Sequence, residues 1–236
     1  MADDFLLVST PRYDPQLTTV PSRGLDHAKW NYDHQSPVYL LDYHRDRLLK
    51  AASYWGWRPA VTLLDGSSGL ESLSRGLEEF IGTSHENPLR LRILVDRHGE
   101  IKFEKFDIPP APLETFFPRR LPAPGSRPAE QEAPQHPEYV LVVDSARTAR
   151  SDHTHFKTTS RPAYDAARRR GGIVPGELKE VLTVNMEGYV MEGSITTPYF
   201  WRGGRWVTPP VSDTGFSEQG GSGGQDGVSR RWALER

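Results

Sequence analysis

Four short runs of this chain carry residue types that could do chemistry. His44-Arg45-Asp46-Arg47-Leu48 sets two arginines at the opening of a predicted helix. Cations there oppose the helix dipole, so the pair points to a bound anion or an acidic partner, although a solvated helix face accounts for the same arginines taken alone. His153-Thr154-His155-Phe156-Lys157 then brings a lysine among hydroxyls and cations, just ahead of another predicted helix. An amine with cationic neighbours gives up its proton more readily and suits Schiff-base chemistry; an ordinary exposed lysine is the alternative. The His-x-His pair lacks an evident third ligand, so no metal is expected. In the third run, Glu187 to Ser194, Glu192 ends a short predicted strand, where a carboxylate can hold a protonated ring nitrogen or simply face water. Finally, Gly227-Val228-Ser229-Arg230 enters a predicted helix whose free N–H groups could bind phosphate, and glycine followed by serine is also a common plain cap.

Composition narrows what these runs can serve. The 236 residues carry 29 lysines and arginines against 31 aspartates and glutamates, a net charge of −2 that gives no support to nucleic-acid binding. The complete lack of cysteine removes disulfides, thiolate nucleophiles and cysteine-containing zinc sites together. Only six of the basic residues are lysines (Lys29, Lys50, Lys102, Lys105, Lys157 and Lys179), so lysine chemistry has few candidates. No apolar run is long enough to span a membrane, and the acidic start lacks the pattern of a secretory signal. A soluble, cytoplasmic protein with no nucleic-acid or membrane partner is expected.

The elements that must position the four runs follow from spacing. Phe5 to Val8 and Val38 to Leu41 read as short strands, and Leu48, Ala51, Ala52 and Trp55 fall at helical spacing after Tyr43. Leu70, Leu73, Leu77, Phe80 and Ile81 repeat that pattern, and Leu89 to Val95 turns back through Ile101 to Lys105 as a hairpin. Nine prolines between residues 109 and 137 exclude a helix or a central strand and predict an extended linker. Beyond it, Tyr139 to Val143 is a strand and Ser160 to Arg170 a helix, with Pro162 in its first turn. Glu180 to Val184, Tyr189 to Met191, Tyr199 to Arg202 and Arg205 to Val207 read as short, mostly antiparallel strands, and Gly215 to Gly227 as a mobile loop. The expected organisation is α+β: an N-terminal α/β lobe at 1–108, a linker at 109–137 and a second lobe at 138–236.

Taken in order, the runs resemble the class IV aminotransferase family, the fold-type IV enzymes that use pyridoxal 5′-phosphate. The resemblance rests on H-x-x-R-L at His44 to Leu48, Lys157 before a helix, G-x-x-x-E-G at Gly188 to Gly193, Thr208-Pro209, and G-[IV]-[ST]-R at Gly227 to Arg230. It extends from about residue 5 onward and is strongest toward the fungal branch related to 4-amino-4-deoxychorismate lyase. The resemblance implies two lobes, the second an antiparallel pseudo-barrel. It implies that Arg47 holds the cofactor phosphate, that Lys157 binds the cofactor covalently and shuttles protons, and that Glu192 pairs with the pyridine nitrogen. The backbone N–H groups of Val228 and Ser229 would complete the phosphate site. Two departures stand out: Thr197-Pro198 replaces an asparagine common after the glutamate, and the chain ends six residues after Arg230, short of where relatives end. The second lobe is therefore expected to be incomplete, its last helix weakly held.

By this resemblance the expected reaction is elimination of pyruvate from aminodeoxychorismate to give 4-aminobenzoate, in a homodimer acting on a small-molecule amino substrate. A transaminase acting on a D-amino acid, a branched-chain amino acid or an amine shares every motif and is the alternative; a non-catalytic homologue is the second.

Overall fold

The structure, a computed structural model, describes residues 4–82, 85–126, 138–212, 216–217 and 220–236. It divides into two compact units: Met1–Arg119 with Lys157–Ser160 and Arg231–Arg236, and Arg120–Phe156 with Arg161–Arg230. This differs from a linear division at a proline linker, because two later segments return to the first unit.

The first unit is built on a four-stranded antiparallel sheet. Strand β3 (Leu89–Val95) pairs on one side with β1 (Leu7–Ser9) and then β2 (Arg12–Tyr13), and on the other with β4 (Ile101–Asp107). The register runs Leu7↔Val95 and Ser9↔Ile93 toward β1, and Leu89↔Asp107 to Val95↔Ile101 toward β4. The expected hairpin at 89–105 is present, and Leu89, Leu91, Ile93 and Val95 are fully buried or nearly so. Four helices precede it: α1 (Trp30–His34), α2 (Leu41–Tyr54), α3 (Arg58–Leu64) and α4 (Gly66–Ile81). The stripe Leu73, Leu77 and Ile81 of α4 is buried, as the four-residue spacing requires.

Two expectations fail in this unit, each through a specific competitor. Val38 to Leu41 is not a strand: Val38 makes an isolated bridge to Tyr13, and the helix begins at Leu41. The buried Asn31 side chain takes up the backbone instead, donating to Ser36 O and Val38 O at 2.9 Å and accepting from Leu40 N–H at 2.8 Å. Residues 109–119 are not linker. They hold α5 (Leu113–Phe116), the buried Leu113 and Phe117, and backbone acceptors for Gln16 and Arg12 at Ala111 O and Pro109 O. Of the rest of the proline segment, residues 127–137 lie outside the described residues.

In the second unit β5 (Val140–Thr148) and β6 (Lys179–Asn185) are parallel, and β7 (Val190–Gly193) is antiparallel to β6. The expected antiparallel arrangement is corrected at β5–β6. A parallel pair needs a crossover, and α7 (Pro162–Arg170) provides it, with Pro162 in its first turn. At its far end Arg170 grips Asp144 of β5 through two hydrogen bonds of 2.7 and 2.6 Å, which holds that carboxyl below the usual range. A separate hairpin, β8 (Phe200–Arg202) with β9 (Arg205–Val207), follows. The glycine-rich stretch is not the open loop expected of it where it is described. Ser222 is buried with its N–H on Pro210 O, and a Cβ at Gly224 would stand 2.8 Å from Met191 O and 3.3 Å from Glu192 Cβ.

The last helix, α8 (Val228–Leu234), is too short to persist on intrinsic helicity, and packing supplies what length does not. Trp232 is buried, donates its indole N–H to His27 O at 3.0 Å and meets the Phe117 ring edge-on at 5.6 Å. Arg231 donates to Asp46 at 3.0 Å and lies over the Tyr43 ring. The expectation of a weakly held terminus is thus overturned by the contacts of Arg231 and Trp232. Among the described residues no helix is long and apolar enough to cross a membrane. Trp232→Ala should lower unfolding stability by about 3–5 kcal/mol, the usual cost of emptying a buried aromatic site; urea denaturation followed by far-ultraviolet circular dichroism checks it.

Candidate active site

Lys157 is delivered to the first unit by strand-like pairing. The segment Lys157–Ser160 lies along β1: Val8 N–H donates to Lys157 O and Thr159 N–H to Leu6 O, both at 2.9 Å, and Leu7 bridges Thr158 antiparallel. The Thr159 hydroxyl also accepts from Leu6 N–H at 2.9 Å. A lysine that reads as loop is therefore fixed to a sheet edge.

Helix α2 brings its partners. His44 and Arg47 are one turn apart on the same helical face, and His44 is buried together with Leu48, Ala51 and Ala52. Arg47 Nη2 donates to Ser9 Oγ of β1 at 2.8 Å, and that hydroxyl lies 2.8 Å from His44 Nδ1. Burial, then the positive charges of Arg47 and Lys157, push the His44 imidazole well below its ordinary range. The imidazole is neutral, leaving Arg47 and Lys157 as the cations around it. Arg45 points elsewhere, donating to Leu64 O at the end of α3 and pairing with Asp46.

The second unit holds Glu192 near the end of β7, 8% exposed. Its carboxylate accepts the hydroxyl proton of Tyr164 from α7, and its backbone carbonyl accepts from Thr183 Oγ1 at 3.0 Å. Burial and the Glu192 charge hold Tyr164 well above the usual phenol range, so it remains a donor. The turn after Glu192 is organised by a second buried carboxylate. Glu180 accepts from Ser194 N–H and Oγ–H, from Ile195 N–H and from Thr196 Oγ–H, at 2.6 to 3.1 Å. Gly193 has to be glycine there: a Cβ would stand 2.3 Å from Thr196 Oγ1 and 3.0 Å from Glu180 Oε2. Val228 is buried and Ser229 exposed at the start of α8. Arg230 explains two motifs at once, donating to Asp226 at 2.9 Å and to Pro209 O at 3.1 Å.

Comparison with known proteins matches the family Amino-transferase class IV across residues 28–235. The chain belongs to the class IV aminotransferase family. A Schizosaccharomyces pombe protein provisionally assigned as an aminodeoxychorismate lyase is 31% identical over 75 residues, a match spanning 31% of this chain and 32% of that protein. The fold is shared with a protein assigned as an amino-acid aminotransferase from Mesorhizobium loti, at TM-score 0.61 and 19% identity, covering 98% of this chain and 83% of that one. A Thermotoga maritima protein assigned as a branched-chain amino acid aminotransferase gives TM-score 0.56 and 19% identity, covering 98% and 62%.

Class IV aminotransferases are pyridoxal-phosphate enzymes, and the donor sets fit that group. Arg47 and Lys157, with a neutral imidazole near both, suit a phosphate and an aldehyde; a buried carboxylate braced by Tyr164 suits a protonated ring nitrogen. Arg47, Lys157, Glu192, Val228 and Ser229 are candidates from the sequence; Ser9, Tyr164 and Glu180 enter only through their contacts, with Arg47, with Glu192 and with the turn after β7. Nothing local marks them: each is one polar residue in an element whose partners lie far along the chain.

His44 should be visible in the pH dependence of stability. Its folded form resists protonation, whereas the unfolded chain takes up a proton near pH 6.5. The unfolded state therefore binds more protons as pH falls below about 6.5, and stability drops by up to about 1.4 kcal/mol per pH unit. Above that pH the contribution is constant. His44→Gln should flatten the slope between pH 6.5 and 5 in urea denaturation; an unchanged slope would place the titration elsewhere.

Proposed function

We propose that this chain binds pyridoxal 5′-phosphate and eliminates pyruvate from an aminodeoxychorismate-like substrate to release 4-aminobenzoate. The observation that carries the cofactor half is the pairing of Lys157 with β1, in the same unit as Arg47 and the neutral His44. The lyase half is supported by the 31% identity with the Schizosaccharomyces pombe relative. That match spans about a third of the relative's length.

In this reading Arg47 holds the phosphate, with the N–H groups of Val228 and Ser229 as additional donors. Lys157 holds the cofactor through its amine and, once displaced by substrate, carries a proton to and from the substrate carbon on its Nζ. Glu192 keeps the proton on the ring nitrogen, and the Tyr164 hydroxyl holds that carboxylate in place. When bound, the cofactor supplies an electron sink for the bond being broken at the substrate α-carbon. The carboxylate matters because a protonated ring draws electrons more strongly than a neutral one.

A second reading, amino transfer to a keto acid, is favoured by the description of the family itself. One assay separates the two: pyruvate release from aminodeoxychorismate measured with and without an acceptor keto acid. Elimination yields pyruvate without the acceptor, whereas transfer yields no pyruvate and converts the acceptor keto acid into its amino acid, which is measured alongside; formation of neither product would overturn both readings. Glu192→Ala should lower kcat on the order of 100-fold while cofactor affinity falls by less than about ten-fold, because the interaction acts on charge developed during reaction. An unchanged kcat would show that another group protonates the ring.

A further inference from the structure

Ser9 is completely buried on β1. A hydroxyl there must find its partners inside the protein. It accepts from Arg47 Nη2 at 2.8 Å, and its own proton has two candidate acceptors, His44 Nδ1 at 2.8 Å and His44 O at 3.4 Å. The nearer acceptor is the better placed. The imidazole then carries its proton on Nε2, and the hydrogen bonds run in one direction, from Arg47 to Ser9 to His44. Burial and the two neighbouring cations keep the imidazole neutral, which is the form whose Nε2–H tautomer leaves Nδ1 able to accept. An imidazolium would instead present an N–H to a hydroxyl that already accepts from Arg47.

We propose that Ser9, oriented by His44, is a positioning residue that holds the Arg47 guanidinium ready for a phosphate. This rests on the reading of Arg47 as the phosphate ligand and adds the group that aims it. A long arginine side chain has much rotamer freedom to lose. Anchoring one Nη on a buried hydroxyl removes part of that loss before the ligand arrives, which raises affinity without any contact between Ser9 and the ligand.

The test uses two probes that differ only in the phosphate, pyridoxal 5′-phosphate and pyridoxal, titrated into the full chain. Ser9→Ala should weaken pyridoxal 5′-phosphate about ten-fold, the scale of one hydrogen bond to a charged group, and change pyridoxal by less than about two-fold. Arg47→Ala should weaken the phosphorylated probe further, and adding Ser9→Ala to it should have no additional effect, because the interaction to be lost is already gone. Ser9→Thr, which keeps the hydroxyl, should restore the preference. Should Ser9→Ala not fold by circular dichroism, Ser9→Cys keeps the volume with a poorer acceptor and is read the same way. Equal weakening of both probes, or additive effects in the double variant, would overturn the positioning role in favour of a purely structural one. A wild-type chain that prefers the phosphorylated probe while Ser9→Ala keeps the same preference overturns this inference alone. A wild-type chain that binds neither probe overturns the cofactor reading on which it stands.

Discussion

Two backbone hydrogen bonds, Val8 N–H to Lys157 O and Thr159 N–H to Leu6 O, govern the chemistry open to the first unit. They carry a segment from far along the chain back to β1 and anchor its lysine beside α2. Without them Lys157 would be a loop residue after a one-turn helix, α6 (Asp152–His155), with no fixed relation to Arg47 or His44. The pairing is antiparallel and continuous with β3 through β1, so the segment joins a buried sheet. Backbone pairing of this kind fixes direction as well as place, since side chains alternate across a strand.

Buried polar groups then divide the labour of keeping each part exact. In the first unit Asn31 satisfies the backbone of residues 36–40, which frees the chain to start α2 at Leu41 and sets the phase that points His44 and Arg47 toward Ser9. In the second unit Glu180 gathers the turn after β7, and Tyr164 braces Glu192 itself. A half-satisfied buried network is costly, so these arrangements tolerate little local change. Around His44 the first unit sets positive charge beside a neutral imidazole, while in the second Glu180 and Glu192 are buried against hydroxyl and amide donors.

Periodicity made α4, the β3–β4 hairpin and α7 legible, because each buries one face and the apolar spacing shows which. Elements controlled by distant partners were not. Val38 to Leu41 has strand composition, yet a single asparagine nine residues before Leu40 decides its backbone. The parallel β5–β6 pair was hidden because strand composition does not encode direction; only the crossover through α7 does. The proline-rich segment misled by its composition, since Leu113 and Phe117 bury themselves between the prolines. Among candidate site residues, motif order singles out Arg47, Lys157 and Glu192. Ser9 and Glu180 stayed invisible, being ordinary polar residues until the fold surrounds them with donors and acceptors.

In the proposed function the amine of Lys157 holds the cofactor. Loading the full chain with pyridoxal 5′-phosphate, reducing with borohydride and mapping the modified peptide by mass spectrometry tests it directly. Stoichiometric attachment is expected at Lys157, and none after Lys157→Ala in an otherwise folded chain. Attachment at Lys29, Lys50, Lys102, Lys105 or Lys179 instead would contradict it.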